Sequence, residues 1–371
     1  MKVLHVTFDM RIGGTEMVIK AIIEGFAQAD PDVDFSLFCI EHPLGPWGQE
    51  LASKGIAIES YRRHPGFDWT LIRRIRRLVQ AQAIDVLHCH QYTPWVYGLI
   101  ASLGTGARVI FTEHGRFYPD SRRWKRTLLN PWFARLTSAI TAISGSTKQA
   151  LVDYEAIKPE DVVVIYNGIA QLYSDNEEVR NIRARYGLDE RHFLFGTVSR
   201  FDPIKNQTMM LRAFSRVVAE HADARLLLVG DGEERMRLET LVHALGLDER
   251  VFFTGYITDP VNYIAAMDIF LLSSLSEGTS MTLLEAMSLG KPCVVTDAGG
   301  NAEVVARAEN GIVTPNDDEM AFATAMKQMV EQPDLREAFS RGAFVRFNRQ
   351  FSVEHMVKAY DALYKDVVSR R

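Results

Sequence analysis

Met1-Lys2-Val3-Leu4-His5-Val6-Thr7-Phe8-Asp9-Met10-Arg11-Ile12-Gly13-Gly14-Thr15-Glu16 runs from a short apolar strand directly into a glycine turn and then into a helix that begins near Glu16. The same unit recurs down the first half. Phe35 to Cys39, Val86 to His88, Val109 to Thr112, Ala139 to Ile143 and Val162 to Tyr166 are short β-branched runs separated by longer helical patterns. Their continuous apolar character implies burial on both faces, which specifies a parallel sheet wrapped by helices: a doubly wound α/β domain.

The pattern then breaks and restarts. After Asn167-Gly168-Ile169 comes a polar stretch, Gln171 to Val179, with no apolar period. New strands follow at Phe193 to Ser199, Leu226 to Val229, Val251 to Thr254, Ile269 to Leu272, Cys293 to Thr296 and Gly311 to Val313. At 371 residues the chain exceeds the usual size of one hydrophobic core. The expected plan is therefore two Rossmann-like domains, 1–170 and 189–350, with a linker at 171–188 and a terminal helix at 351–371. In open α/β sheets ligands bind beyond the carboxyl ends of strands, so two such domains are expected to face each other across a cleft. The last helix carries Met356, Val357, Tyr360, Leu363 and Tyr364 on one stripe and must pack on something.

Composition narrows the function. Hydrophobic content of 47% and charged content of 24% are those of an ordinary globular protein, and a net charge of −5 argues against a dedicated nucleic-acid binder. Residues 1–170 hold 19 Lys and Arg against 17 Asp and Glu, which is +2 and leaves −7 for the rest. The basic residues concentrate at Arg62, Arg63, Arg73, Arg74, Arg76 and Arg77, then at Arg116, Arg122, Arg123, Lys125 and Arg126, interleaved with Phe117, Tyr118 and Trp124. Such a face suits an anionic membrane or a phosphorylated acceptor, although a solvated helix face explains it equally well. Cys39, Cys89 and Cys293 are few, odd in number and far apart, which favours a reducing compartment. With no apolar run long enough to span a bilayer, the expected location is the cytoplasm, at most peripheral on the inner membrane face.

Polar motifs cluster just after the expected strands. In Glu277-Gly278-Thr279-Ser280-Met281-Thr282-Leu283-Leu284-Glu285 one carboxylate precedes a Gly-Thr-Ser turn. The other lies about one turn into the helix that the turn opens, so both can face a ligand over the helix N-terminus. Backbone amides there suit a pyrophosphate, and the carboxylates suit ribose and sugar hydroxyls. On the loop Ser199-Arg200-Phe201-Asp202-Pro203-Ile204-Lys205-Asn206, Arg200 and Lys205 are two cations bracketing a proline turn, an arrangement fit for a diphosphate. Gly13 and Gly14 permit close backbone approach, as do the glycines of Gly230-Asp231-Gly232, though tight strand-to-helix turns need glycine for their own reasons. His114, after Val109 to Thr112, could donate to a phosphate or sugar hydroxyl, or shuttle a proton. His88 and His90 point to the same face of a strand, but no further Cys/His pair has matching spacing, so no metal is expected. Asp32-Val33-Asp34 follows a helix exit, where acidic turn residues need no special explanation.

Together these pieces resemble the retaining nucleotide-sugar glycosyltransferases of the GT-B fold, specifically glycosyltransferase family four. The resemblance rests on Ser199-Arg200 with Lys205-Asn206, Gly230-Asp231-Gly232, Phe253-Thr254-Gly255-Tyr256, Ser274 to Gly278 with Glu285-Ala286-Met287, and Gly299-Gly300-Asn301-Ala302-Glu303. It implies that Glu277 holds donor-sugar hydroxyls and Glu285 the ribose, while Arg200 and Lys205 hold the diphosphate and stabilise its departure. It further implies that Gly13, Gly14, Ser280 and Met281 offer amides to phosphates and sugar, with Thr279 in the same turn, that Tyr256 and Ile257 border the base, and that His114 lies near the reacting sugar. Thr279 to Thr282 stand where a Phe-Gly type of sequence is more usual, and Ala302 where proline is common. The implied reaction transfers a hexose or N-acetylhexosamine from a UDP- or GDP-sugar to a glycan or lipid-linked glycan, with no metal or other cofactor. A sugar-nucleotide epimerase on a similar fold would need an acid and base around the sugar C2, and none is evident. A non-catalytic nucleotide-sugar-binding protein would not need the full set Arg200, Lys205, Glu277 and Glu285.

Overall fold

The computed structural model describes residues 1–115 and 121–370, so Arg116, Phe117 and Tyr118 of the basic, aromatic run lie outside the described residues. The chain forms two compact units, one made of Met1–Ala170 with Val353–Arg371 and the other of Gln171–Ser352.

In the first unit the described strands are β1 (Lys2–Thr7), β2 (Asp34–Cys39), β3 (Ala57–Ser60), β4 (Val86–His90), β5 (Arg108–Glu113), β6 (Ala139–Ala142) and β7 (Val162–Val164). They pair in the order β3-β2-β1-β4-β5-β6-β7, every pair parallel. The interior strands are buried on both faces, as their apolar runs required. β3 has no counterpart in the sequence reading. It is a four-residue edge strand, half-exposed, whose Ala-Ile-Glu-Ser has neither an apolar run nor strict alternation. The chain returns to this unit through helix Val353–Ser369, which buries Met356, Val357, Tyr360, Tyr364 and Val367. It lies against helix Gly14–Ala29 so closely that a Cβ on Gly25 would stand 2.6 Å from Val357 Cγ2. Val353 N also donates to Ile169 O at 2.9 Å.

The second unit holds β8 (Phe193–Val198), β9 (Ala224–Val229), β10 (Val251–Gly255), β11 (Ile269–Leu272), β12 (Cys293–Thr296) and β13 (Gly311–Thr314), ordered β10-β9-β8-β11-β12-β13. These strands are again parallel, and their core is built on Phe195, Phe201, Phe214, Leu226, Leu228 and Phe322. The expected linker is not an open connection. Residues 176–185 form helix Asn176–Arg185, capped by Asp175, whose side chain accepts from the amides of Glu177 and Glu178. Ile182 is its one buried residue, so a single anchor replaced the apolar period that the eye looks for. Gln171 ties the start of this stretch to the same unit by donating to Ser288 O at 2.6 Å.

Candidate active site

Strand order reverses between β8 and β11, so the chain leaves these neighbours in opposite directions and their carboxyl ends bound a crevice. Asp202 organises the loop after β8. Its Oδ1 accepts the Lys205 amide at 3.2 Å, and its Oδ2 accepts Arg200 Nε at 2.8 Å and Nη2 at 2.7 Å. The loop is bound to the end of β11 as well, since Ser273 Oγ donates to Lys205 O and Asn206 O at 2.8 and 3.1 Å, and Leu275 N donates to Ile204 O at 2.7 Å. These bonds carry Lys205 across the strand boundary. Its Nζ donates to Glu277 Oε1 at 2.6 Å, and Ser274 Oγ donates to the same oxygen at 2.6 Å.

The two cations of this loop thus differ in setting. Lys205 is paired with Glu277 and 24% exposed at its side chain, whereas Arg200 is clipped to Asp202 and 76% exposed. Neither Asp202 nor Ser274 was singled out in the sequence. The first looked like part of a proline turn, and the second lies three residues before Glu277, a spacing that only a chain folding back on itself brings to hydrogen-bond distance.

Glu277 is also held from behind. Gly299, at φ +57°, lies so near that a Cβ would stand 1.8 Å from Glu277 O, and Gly300 N donates to that carbonyl at 3.3 Å. A left-handed backbone and a contact of this kind admit only glycine. Helix Met281–Ser288 follows, with Thr279, Ser280 and Met281 buried at its start; the Ser280 hydroxyl bonds Thr282 Oγ1 and does not cap an amide. Glu285 sits in the second turn, buried, and its Oε2 has no hydrogen-bond partner among the described residues. Burial first and the nearby Asp259 second push its carboxyl up to about 7. A carboxyl in that state is prepared to accept hydroxyl protons that the protein itself does not supply.

Gly230 has a structural explanation of its own: at φ +143° a Cβ would stand 2.0 Å from Ser199 O, and its amide donates to Gly255 O at 3.0 Å. This contact fixes the turn that leads to the exposed Tyr256 and the half-buried Ile257.

In the first unit Gly13 is extended and caps helix Gly14–Ala29 without a side-chain bond. The charged groups at this turn are Glu16, whose Oε2 would lie 2.5 Å from a Gly13 Cβ, and Asp9, which pairs with Arg11 at 2.7 Å. Two carboxylates suit hydroxyl donors better than phosphate.

His114 lies at the end of β5 and closes a string of imidazoles. Its Nε2 is 2.8 Å from His90 Nδ1, and His90 Nε2 is 2.7 Å from His5 Nδ1. Parallel register puts these rings on one face, because β1, β4 and β5 are neighbours and His5 aligns with His88. His5 therefore joins the pair that the sequence placed together, and the nitrogens of His5, His88 and His90 lie within 4.8 Å of one another. Those of His88 and His90 are already engaged, however. His88 bonds Tyr364 OH at 2.8 Å and Thr112 Oγ1 at 2.7 Å, and both His90 nitrogens serve the string. The array is a hydrogen-bond network before it is a ligand set. Burial holds all four rings neutral, with His5 and His114 lowered to about 3 and the other two well below the usual histidine range.

Neutral rings in a string have two self-consistent proton arrangements. Either His5 Nδ1 donates to His90 and His90 Nδ1 to His114, which puts the remaining His114 proton on Nδ1, or every bond reverses and Nδ1 is bare. His114 Nδ1 and His5 Nε2, the two ends, have no partner among the described residues.

Comparison with known proteins gives the arrangement its family. Residues 178–346 match the model of the glycosyl transferases group 1, and residues 12–170 match that of glycosyltransferase family 4. N-acetyl-alpha-D-glucosaminyl L-malate synthase of Bacillus anthracis is 26% identical over 98% of this chain and 97% of its own. The UDP-Gal:alpha-D-GlcNAc-diphosphoundecaprenol alpha-1,3-galactosyltransferase of Escherichia coli is 25% identical over 79% of this chain and 78% of its own. Among solved structures, Anabaena HepE in complex with UDP superposes with a TM-score of 0.88 at 22% identity, covering 99% of this chain and 100% of that one. Two parallel α/β units, a match to a family model over each half and relatives named as glycosyltransferases along nearly its whole length lead to one assignment: the chain belongs to glycosyltransferase family 4.

Proposed function

We propose that the protein is a retaining glycosyltransferase that moves a hexosyl or N-acetylhexosaminyl group from a UDP- or GDP-sugar to a glycan or lipid-linked glycan. The observation that carries this reading is the Lys205–Glu277 pair at the strand-order reversal of the second sheet, eight residues before Glu285, whose buried Oε2 has no partner among the described residues. UDP is favoured as the base-bearing half, since HepE was crystallised with UDP and with UDP-glucose, and the E. coli relative is named for a UDP-galactose donor.

In this reading Glu285 accepts the ribose hydroxyls and Glu277 those of the sugar. Lys205 has ammonium protons beyond the one given to Glu277, and with Arg200 it neutralises the diphosphate as the anomeric C–O bond breaks. The acceptor oxygen bonds to the anomeric carbon on the face that the leaving group vacates, and its proton passes to the departing phosphate oxygen. Charge neutralisation by two side chains makes a metal ion unnecessary. In the first unit we assign His114 to the transferring sugar, and Gly13 and Gly14 to its hydroxyls. The lipid-linked form of the acceptor would place the enzyme on the inner face of the membrane.

Thermal shift with UDP-, GDP- and ADP-sugars, without added metal, tests the donor half. A shift with one nucleotide class that Arg200→Ala removes is the expected result, followed by transfer of label to acceptor with retained anomeric configuration. No shift with any of them, or an inverted product, would overturn the reading.

A further inference from the structure

Helix Trp124–Leu136 rests Phe133 and Ala134 on the core but turns most of its large apolar side chains outward. Trp124, Leu128, Leu129, Trp132 and Leu136 are 72%, 64%, 46%, 63% and 56% exposed, and its only fully buried residue is the polar Asn130. At 100° per residue those five side chains fall within an arc of roughly 140°. The opposite side is the one that attaches. Asn130 Nδ2 donates to Glu155 Oε2 at 2.7 Å, its Oδ1 accepts Tyr92 OH at 2.9 Å, and Arg126 pairs with Glu155 at 2.8 Å while lying 3.8 Å over the Tyr92 ring. A soluble surface helix presents the reverse pattern. Helix Trp69–Gln82 in the same unit shows it: Leu71, Ile72, Ile75 and Val79 face in, and Arg73, Arg74 and Arg77 face out.

Charge identifies what covers the apolar arc. The helix contains no acidic residue, and Arg122, Arg123, Lys125 and Arg135 are exposed around it. Lys125 in the first turn and Arg135 in the last also fall within this arc, Lys125 5.7 Å over the Trp124 ring and Arg135 5.3 Å over the Trp132 ring, so a cation sits on an indole at each end of the stripe. Indoles and leucines with a cation at each end of the stripe, and no carboxylate on the helix, form a surface for the boundary between anionic headgroups and acyl chains. A second copy of this chain would bring cation against cation.

We propose that helix Trp124–Leu136 is the element that seats the first unit on an anionic lipid bilayer, its Trp124-Leu128-Trp132 stripe buried among the acyl chains. This deepens the lipid-linked acceptor of the proposed function and rests on that reading only for why an enzyme of this kind needs a membrane.

The test uses the full chain with phosphatidylcholine vesicles, with and without phosphatidylglycerol. Flotation should show binding to the anionic vesicles with a blue shift of tryptophan emission. The triple variant Trp124→Ser/Leu128→Ser/Trp132→Ser should bind about tenfold more weakly or worse, with its thermal midpoint and donor-induced shift unchanged. Neutralising Arg73, Arg74 and Arg77 together should have a much smaller effect. No binding, or binding that the triple variant keeps, overturns the proposal, as does a wild-type dimer that the triple variant disperses. Loss of the donor shift with stripe-dependent vesicle binding intact would sink the transferase reading and uphold the membrane helix.

Discussion

Lys205 Nζ and Glu277 Oε1 stand 2.6 Å apart across the boundary between β8 and β11, joining two loops 72 residues apart in the chain. In the proposed function the pair offers opposite charges to opposite parts of one ligand, an anionic diphosphate and a set of hydroxyls. It also neutralises both groups while no ligand is bound, which limits the cost of keeping them half-buried.

Stability and catalysis should therefore separate at this pair. Lys205→Ala leaves Glu277 without its ammonium and should cost roughly 2 kcal/mol in chemical denaturation along with about 10²-fold in kcat. Lys205→Met with Glu277→Gln should recover most of the stability and none of the activity. Recovery of both would mean that the pair is structural.

Glu285 supplies a pH dependence with a definite sign. Its folded carboxyl is raised to about 7, so the folded protein binds a proton there that the unfolded chain has already lost. The resulting destabilisation is complete above pH 7 and disappears as pH falls toward the ordinary carboxylate range, amounting at most to something on the order of 3 kcal/mol. Glu285→Gln should raise the denaturation midpoint at pH 8 and leave it nearly unchanged at pH 4.5. If ribose hydroxyls bind the ionised form, donor Kd by calorimetry should weaken about tenfold per pH unit below 7 in the wild type, and not in Glu285→Gln.

The histidine string gives the opposite sign. Below pH 6.5 the unfolded chain takes up protons on His5, His88, His90 and His114 that the folded unit refuses, so stability falls as pH drops. The slope should be roughly 1.4 kcal/mol per pH unit for each histidine involved. Denaturant midpoints between about pH 7 and 5 measure it, and His88→Gln should lower the slope. Histidine 15N shifts report the tautomers: with His90→Phe, those of His114 should stop responding to substitution of His5.

Gly299→Ala should disturb Glu277 without altering it. The added Cβ would meet the Glu277 carbonyl at 1.8 Å in a left-handed backbone, so a loss of roughly 1–3 kcal/mol and a large fall in donor affinity are expected together. Unchanged donor affinity, measured by thermal shift, would show that the loop after β12 does not set the carboxylate's position.

The fold was legible because buried parallel strands such as Ile269–Leu272 and Cys293–Thr296 are written as unbroken apolar runs, and the sequence reading bounded those two as the structure does. Elements with one anchor were not. Ile182 is the one fully buried side chain of helix Asn176–Arg185, and β3 is a half-exposed edge. In the second unit each polar motif lay after an expected strand, which marked Lys205, Glu277 and Glu285. What the sequence could not show was partnership over distance: His5 lies 85 residues from the His90 that it bonds, and only the β1–β4 pairing brings them together. The direction in which helix Trp124–Leu136 faces was hidden for a related reason, since an apolar stripe has the same period whether it looks inward or outward.

The return of helix Val353–Ser369 to the first unit governs when that unit can finish folding. Residues 171–352 are all synthesised before Tyr360 and Tyr364, which fill the first unit's interior and of which Tyr364 bonds His88. The sheet begun at Lys2 must therefore wait, its histidine face uncovered, while an entire second core is synthesised. The half that starts first is finished last.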